Sequence, residues 1–429
     1  MQVDLTKFIK PNQTVAVALS GGSDSMALLN YMLFCREKFP FNVIAINVEH
    51  GIRGEKSVFD TEFVKSYCEK KSIPLICYAV DSLKNAKDNK LSVEQSARQL
   101  RYDCFYKAIE SGACDLVATA HHQDDNVETI LFNLFRGTGL SGMSGIPEIL
   151  NGKIIRPFLS VSKQEIDRYI KENNIPFVTD ETNLSNDYTR NQIRHNIVPE
   201  ILKIFPDAIN SISRFSEIAK LENAYLDSLA KTAVNLTENR AEISLPIDSA
   251  ILKRAVMVAL KSLGVEKDWE KTYADSVLLL TTKNNGVSID LKKGIKAIKE
   301  YDKIVLYKEK EVFCSDIPFS LGDFEFCENK ISITKVKKPN DLKCGFFADF
   351  DKIPKTAVIR TKNDGDFFTK FGGGTKSLSD YLTDKKIPYR QRNHIPVLAD
   401  GNVVLAIFGV AISEKIKVDD KTETVIEIK

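Results

Sequence analysis

Several things are scarce in this chain, and each scarcity removes a class of function. Its 429 residues carry nearly balanced charge, 60 Lys and Arg against 58 Asp and Glu, for a formal net charge of +2. The molecule as a whole is no polycation, so global charge makes no case for nucleic-acid binding, while local basic patches stay open. The eight cysteines, at 35, 68, 77, 104, 114, 314, 327 and 344, include no C-x-x-C pair. That spacing disfavours zinc ribbons, iron–sulfur clusters and redox dithiols. No apolar run reaches membrane-spanning length, and residues 1–10 have no signal-peptide core, so a cytoplasmic protein with no membrane association is expected. Repeats and low-complexity tracts are missing too. What remains, 43% hydrophobic and 28% charged, is an ordinary globular composition, long enough for two or three domains with their own cores.

The most informative stretch present is Ser20-Gly21-Gly22-Ser23-Asp24-Ser25. It follows an apolar, strand-like run from Thr14 to Leu19 and precedes Met26–Leu33, which has a helical pattern. A strand that stops, makes a glycine turn and feeds a helix aims backbone N–H groups and a helix N-terminus into one concavity, an anion site suited to phosphate. Gly21 and Gly22 permit positive φ and close approach of a ligand. Ser20, Ser23 and Ser25 add hydroxyls, and Asp24 has the chemistry to hold Mg²⁺ beside phosphates. A serine-capped turn accounts for one or two of these residues, not for all six. The loop is not of the Walker type, because no Gly-Lys-Ser/Thr follows, and it lacks the third glycine of the dinucleotide fingerprint.

The first two hundred residues alternate strand-like runs (15–19, 43–48, 73–80, 116–120) with helical patterns (25–36, 55–70, 92–110, 125–135). This predicts an α/β domain with a doubly wound parallel sheet, whose ligands bind beyond the carboxyl ends of the strands. The chemistry-bearing residues do follow strands: Ser20–Ser25 the first, residues 49–53 (Glu-His-Gly-Ile-Arg) the second, and His121-His122-Gln123-Asp124-Asp125 the fourth. Val127, Ile130, Leu131, Leu134 and Phe135 make an amphipathic stripe expected to lie on the sheet. Asp125 and Glu128 share the opposite face, where a carboxylate pair suits a divalent cation or the orientation of an incoming group; helix capping is the plainer reading. Residues 136–146, rich in glycine, read as a turning loop able to close over a substrate. In the polar stretch 180–195, Arg190 and Arg194 stand i, i+4 and would project together toward a phosphate, or else bridge to nearby carboxylates. From Pro206 long helical patterns take over (208–236, 246–263, 269–280), then β-type stretches at 287–291 and 304–307, a Lys-rich segment at 335–340, and a small α+β module.

The loop Ser20–Ser25 resembles the pyrophosphate loop of the PP-loop, or nucleotide alpha-hydrolase, enzymes. With Val48–Arg53, Glu94–Tyr102, His121–Thr129, Gly137–Leu140, Arg156-Pro157-Phe158-Leu159 and Asp180–Arg194, the ordered set resembles the tRNA(Ile)-lysidine synthetase family across nearly all of the first 200 residues. The last residues are also similar to that family's terminal domain, through Arg360, Asn363–Asp366, Gly374–Leu382, Lys386-Ile387-Pro388, Arg390, Arg392 and Pro396-Val397-Leu398. One departure is Gly409-Val410-Ala411, where the family pattern has glycine followed two residues later by arginine.

The resemblance implies a PP-loop ATP-binding catalytic domain (1–203), a mostly helical tRNA-binding middle domain (204–312), a linker with a β segment (313–354) and a C-terminal tRNA-binding domain (355–429). It implies ATP and Mg²⁺ as cofactors, and free L-lysine and tRNA(Ile) with a CAU anticodon as partners; a homodimer is left open. ATP would adenylate C2 of the wobble cytidine, and the lysine amine would then displace AMP to give lysidine. Ser20, Gly21, Gly22, Ser23, Asp24 and Ser25 would bind ATP, Asp24 and Asp125 would hold the metal, and Asp24, Asp125, Glu128, Arg190 and Arg194 would be catalytic. A PP-loop tRNA thiolase, or another ATP pyrophosphatase acting on RNA, is the alternative.

Overall fold

The structure, a computed structural model, describes residues 1–51, 55–179, 189–265, 271–308, 314–327, 329–339, 341–342 and 344–429. Ile52 and Arg53, Asp180–Tyr188, Trp269 and Asn340, all singled out above, lie outside the described residues. The chain divides into two compact units, Met1–Tyr225 and Leu226–Lys429.

The first unit is built on six strands: β1 (Thr14–Ala18), β2 (Asn42–Glu49), β3 (Leu75–Ala79), β4 (Leu116–Ala118), β5 (Ile149–Leu150) and β6 (Ile154–Ile155). Their order is β3-β2-β1-β4-β6-β5, with every pair parallel except the edge pair β5–β6. Side chains alternate across the sheet, so β1 serves two cores at once. Val15 and Val17 join Met26, Leu28, Leu29 and Met32 of α1 (Ser23–Cys35) on one face. Ala16 faces the other way, with Ile46, Val117 and Ile154, and with Phe105 and Ala108 of α2 (Val93–Glu110). Helices therefore cover both faces, which is why the strands are apolar throughout and not alternating. The chain runs outward from β1 through β2 to β3, then returns to β4 on the other flank of β1. That reversal opens a crevice beyond the carboxyl ends of β1 and β4.

The apolar stripe behind Asp125 is used differently from the expectation. In α3 (Gln123–Phe135), Val127 and Leu131 are buried against Ile193 of the segment that follows Arg190, not against the sheet, while Leu134 and Phe135 are exposed.

In the second unit the helices Ser249–Ser262 and Lys271–Leu280 lie on a five-stranded antiparallel sheet ordered Val234–Thr237, Arg240–Ser244, Lys303–Lys308, Ile295–Glu300, Ser288–Asp290. The helical pattern read through to residue 236 stops earlier, at Thr232. The β-prone Val234-Asn235-Leu236-Thr237 instead pairs with Arg240–Ser244 as a hairpin, burying Val234 with Ala241 and Ile243. Further along, Ile317–Pro318 pairs with Val358–Arg360, and Val425–Ile428 lies between Asn329–Val336 and Phe347–Asp349. The strands Ile317–Pro318, Asn329–Val336 and Phe347–Asp349 thus share two sheets, and one core of Phe326, Ile333, Ile359, Leu398 and Ile426, with the chain's last stretch. Cys314 and Cys327 are disulfide-bonded, a pairing their spacing did not signal.

Candidate active site

The loop after β1 has the form its residues require. Gly21 sits at φ +86°, in the left-handed region, where a side chain would be strained. Gly22 is the N-cap of α1 and brings no side-chain cap, leaving the helix's first N–H groups for a ligand. The serines hold the loop: the Ser25 hydroxyl donates to the Gly22 carbonyl at 2.9 Å, the Ser20 N–H donates to Ser25 Oγ at 3.3 Å, and the Val178 N–H donates to the Gly21 carbonyl at 2.9 Å.

Beside this loop opens a cavity of about 560 Å³. Ser20, Gly22, Ser23, Asp24, Ser25, Asp125 and Arg190 line it, together with His50, Arg101, Tyr102 and His121. Glu128 and Arg194 are absent from that lining and stand behind Asp125 and Arg190.

Asp125 uses its two oxygens for different partners. Its Oδ2 accepts from the His122 N–H at 3.0 Å, while His122 Nδ1 accepts from the Asp125 N–H, a reciprocal cap on α3. Its Oδ1 accepts from Arg190 at 3.3 Å and from Arg194 at 3.0 Å. Glu128, 2% exposed, takes Arg194 as a fork, with Nε to Oε1 at 2.5 Å and Nη2 to Oε2 at 3.0 Å, and takes Arg190 Nε on Oε2 at 3.1 Å. The two arginines come from the short helix Thr189–Gln192 and the π-turn Ile193–Ile197 that continues it. Ile193 is the buried residue that fastens this segment to α3 and so delivers both guanidinium groups to the same carboxylates.

The charges move the titrations. Burial works to raise the Asp125 carboxyl, but His122 and Arg190 outweigh it and hold the group below its ordinary value. For Arg194 burial is opposed and exceeded by Glu128, so its guanidinium is held still more firmly charged. Burial pushes His121 down to about 3, leaving a neutral imidazole 2.9 Å from the Thr119 hydroxyl.

Sequence reasoning missed Lys163 and assigned no role to His122 or Arg156. Lys163, at the start of the helix Lys163–Glu172, reaches back so that its ammonium donates to Asp24 Oδ1 at 2.6 Å and Ser23 Oγ at 3.0 Å. Burial lowers its pKa, and the attraction of Asp24 more than restores it. His122, placed by the sequence in the chemistry-bearing cluster but given no role there, sets Nε2 3.5 Å from Asp125 and 3.8 Å from Asp24. Arg156, 2% exposed, holds the wall of the cavity by donating to Tyr102 Oη at 3.0 Å and to the Pro147 carbonyl. A lone Lys at a helix start gives no local signal; only its neighbourhood of Arg156-Pro157-Phe158-Leu159 pointed there. The glycine-rich loop 136–146 contributes nothing to the lining of the cavity. Asn126 accepts from the Ile146 N–H at 2.7 Å, and Asn133 donates to the Gly142 carbonyl at 2.9 Å.

Among the described residues no group of three or more His, Cys, Asp and Glu forms a closed metal cage. Mg²⁺ bound with a nucleotide needs only one or two carboxylates, phosphates and water supplying the rest. The donor chemistry of Asp24 and Asp125, both on the cavity wall, fits that demand.

A phosphate-type loop at the switch point of a doubly wound sheet defines the chain's first unit as a PP-loop ATP-binding domain, and residues 1–201 match the family model described as the PP-loop domain. Residues 357–428 match a second model, the TilS substrate C-terminal domain. The chain is 32% identical to the tRNA(Ile)-lysidine synthase of Clostridium acetobutylicum (100% of this chain, 97% of the relative). It is 32% identical to that of Caldanaerobacter subterraneus subsp. tengcongensis (100% and 96%), and 33% identical to that of Bacteroides thetaiotaomicron (98% and 96%). The chain belongs to the tRNA(Ile)-lysidine synthase family, a family of ATP-using ligases of tRNA modification.

Proposed function

We propose that this cavity splits ATP between its α and β phosphates and joins free lysine to C2 of the wobble cytidine of a CAU anticodon in tRNA(Ile). The observation that carries this reading is the opening of the Ser20–Ser25 loop and the Asp125–Arg190 wall onto one cavity. In the first step O2 of the cytidine attacks the α-phosphorus and pyrophosphate leaves. In the second the lysine amine attacks C2, and AMP departs with that oxygen. The N–H groups of Gly22 and Ser23 and the hydroxyls of Ser20 and Ser23 receive the pyrophosphate, and the Lys163 ammonium adds positive charge beside them. Asp24 and Asp125 would hold Mg²⁺, which supplies charge neutralisation at the α-phosphate.

An ammonium of ordinary pKa near 10.4 is no nucleophile until it loses a proton. Asp125 lines the cavity and is the carboxylate that orients the amine, whose proton passes to solvent as the C–N bond forms. Glu128, buried beneath it, anchors the arginines. Arg190, on the cavity wall, then stabilises charge on the adenylated cytidine, with Arg194 behind it holding Glu128. The cytidine must leave its stack to enter, which suits a single-stranded anticodon loop. Sulfur transfer is disfavoured, because among the described residues no cysteine lines the cavity. Mass spectrometry of the tRNA after incubation with ATP and lysine, sulfide or ammonia tests the reading. A mass gain matching lysine alone is expected; a gain from sulfide or ammonia contradicts it.

A further inference from the structure

The second unit contains a cavity of about 750 Å³ with aromatic walls and a lysine rim. Phe346, Phe347 and Phe371 face it, with Lys370, Lys385 and Lys417 around them. Phe371 is 54% exposed, a costly placement for a phenyl ring. It stands at the head of the turn Gly372–Gly374, all three glycines at positive φ, which closes the hairpin of Phe367–Thr369 and Thr375–Ser377.

An anion of the protein's own already lies beside that ring. Glu414 Oε2 accepts from the Gly372 N–H at 3.2 Å, its Oε1 is 3.3 Å from Lys417 Nζ, and that ammonium sits 5.5 Å from the centre of the Phe371 ring. Among the described residues Lys370 and Lys385 make no ion pair, and the acid in the lining, Asp384, is held by Lys376 at 2.6 Å. The pocket thus offers a ring face, a carboxylate marking an anion position, and lysine charge in excess of acid.

We propose that this cavity binds an unpaired nucleotide of the tRNA, its base stacked on Phe371 and its phosphate among Lys370, Lys385 and Lys417. The inference rests on the tRNA reading above. A base-paired stem hides its ring faces, so a stacking site selects single-stranded segments. The anticodon is engaged by the catalytic cavity, and the loops of the tRNA elbow stack on one another. The single-stranded 3′ end is the segment left with free ring faces, and it is the occupant assigned here.

Full-length protein and its Phe371→Ala and Phe371→Trp variants would be titrated, at one fixed salt concentration, with intact tRNA(Ile) and with the same tRNA lacking its single-stranded 3′ nucleotides. Loss of one stacked base predicts about 10-fold weaker binding of intact tRNA by Phe371→Ala, retention by Phe371→Trp, and about 10-fold weaker binding of truncated tRNA by the wild type. The two losses must not add when combined. Unchanged binding by Phe371→Ala, or a truncation penalty as large in Phe371→Ala as in wild type, overturns the assignment; the second outcome would point to another segment or a protein partner. Lysidine formation by the wild type is followed in parallel. Its absence sinks the catalytic reading, whereas its presence with a neutral Phe371→Ala sinks only this pocket.

Discussion

Arg360 with Asp366 in the second unit, and Arg190 and Arg194 with Asp125 and Glu128 in the first, are assembled from the same two functional groups. Arg360 and Asp366 are almost wholly enclosed, with side chains 5% and 0% exposed. The guanidinium donates to both oxygens of Asp366, at 2.8 and 2.7 Å, and to the carbonyls of Thr361 and Gly401, while Asp366 also accepts from the Asn363 N–H. This pair faces only its own backbone, and it ties the turn Asn363–Asp366 to the strand Val358–Arg360. In the cluster of the first unit Glu128 is buried and Asp125 partly so, while the arginine side chains stay 32% and 34% exposed, Arg190 on the cavity wall and Arg194 behind it. They are carried by a short segment fastened by Ile193. The contrast teaches that enclosure, not the presence of an ion pair, separates a clamp from a tool. A guanidinium that still meets solvent has room to exchange a carboxylate for a phosphate, and an enclosed one does not.

The comparison can be broken by experiment. Arg360→Ala strands a buried carboxylate and should cost about 3–5 kcal/mol of stability. Calorimetry would register this as an early unfolding transition, while adenylation by the surviving folded protein stays near wild type. Arg190→Ala should do the reverse, lowering the single-turnover rate of lysidine formation by about 10²–10³-fold, the size of a lost transition-state charge contact. Its melting temperature should change little, because Arg194 still holds both oxygens of Glu128. Equal effects of the two substitutions on melting temperature would erase the distinction. Lys163→Met should raise the KM for ATP by about 10-fold, the loss of one charge-assisted contact, and leave tRNA affinity unaltered; an unchanged KM would remove Lys163 from the phosphate site.

A further expected effect concerns pH. His121 titrates near 3 in the folded protein against about 6.5 when unfolded, so between those values the unfolded state binds the extra proton. Its contribution to stability is whole above pH 6.5 and declines as the pH falls. Asp125, whose folded value lies below its ordinary one, begins to lose its contribution only as the pH drops through the carboxylate range. His121→Asn should therefore flatten the stability curve between about pH 6.5 and about 4.5. A slope identical to wild type there would show that His121 protonates freely in the fold.

Much of the first unit was legible in the sequence because local chemistry dictated it. The strand–glycine–helix loop at Ser20–Ser25 needs Gly21 at positive φ, and the i, i+4 arginines do converge although the helix beneath them becomes a π-turn. The apolar stripe of α3 was readable as a stripe, but its partner was not. Ile193 is remote in sequence from Val127 and Leu131, and periodicity reports only which face is apolar, not what covers it. Lys163 was missed for the same reason, since its contact with Asp24 exists only once the helix Lys163–Glu172 lies beside α1. The hairpin after Thr232 was misread because Val234-Asn235-Leu236 continues an apolar spacing that helix and strand share over so few residues.

The most direct measurement follows the α-phosphate of labelled ATP in a single turnover with tRNA(Ile) bearing a CAU anticodon. Without lysine the label should collect on the tRNA, and added lysine should release it as AMP in step with lysidine. Label released as ADP, or never found on the RNA, would contradict the account.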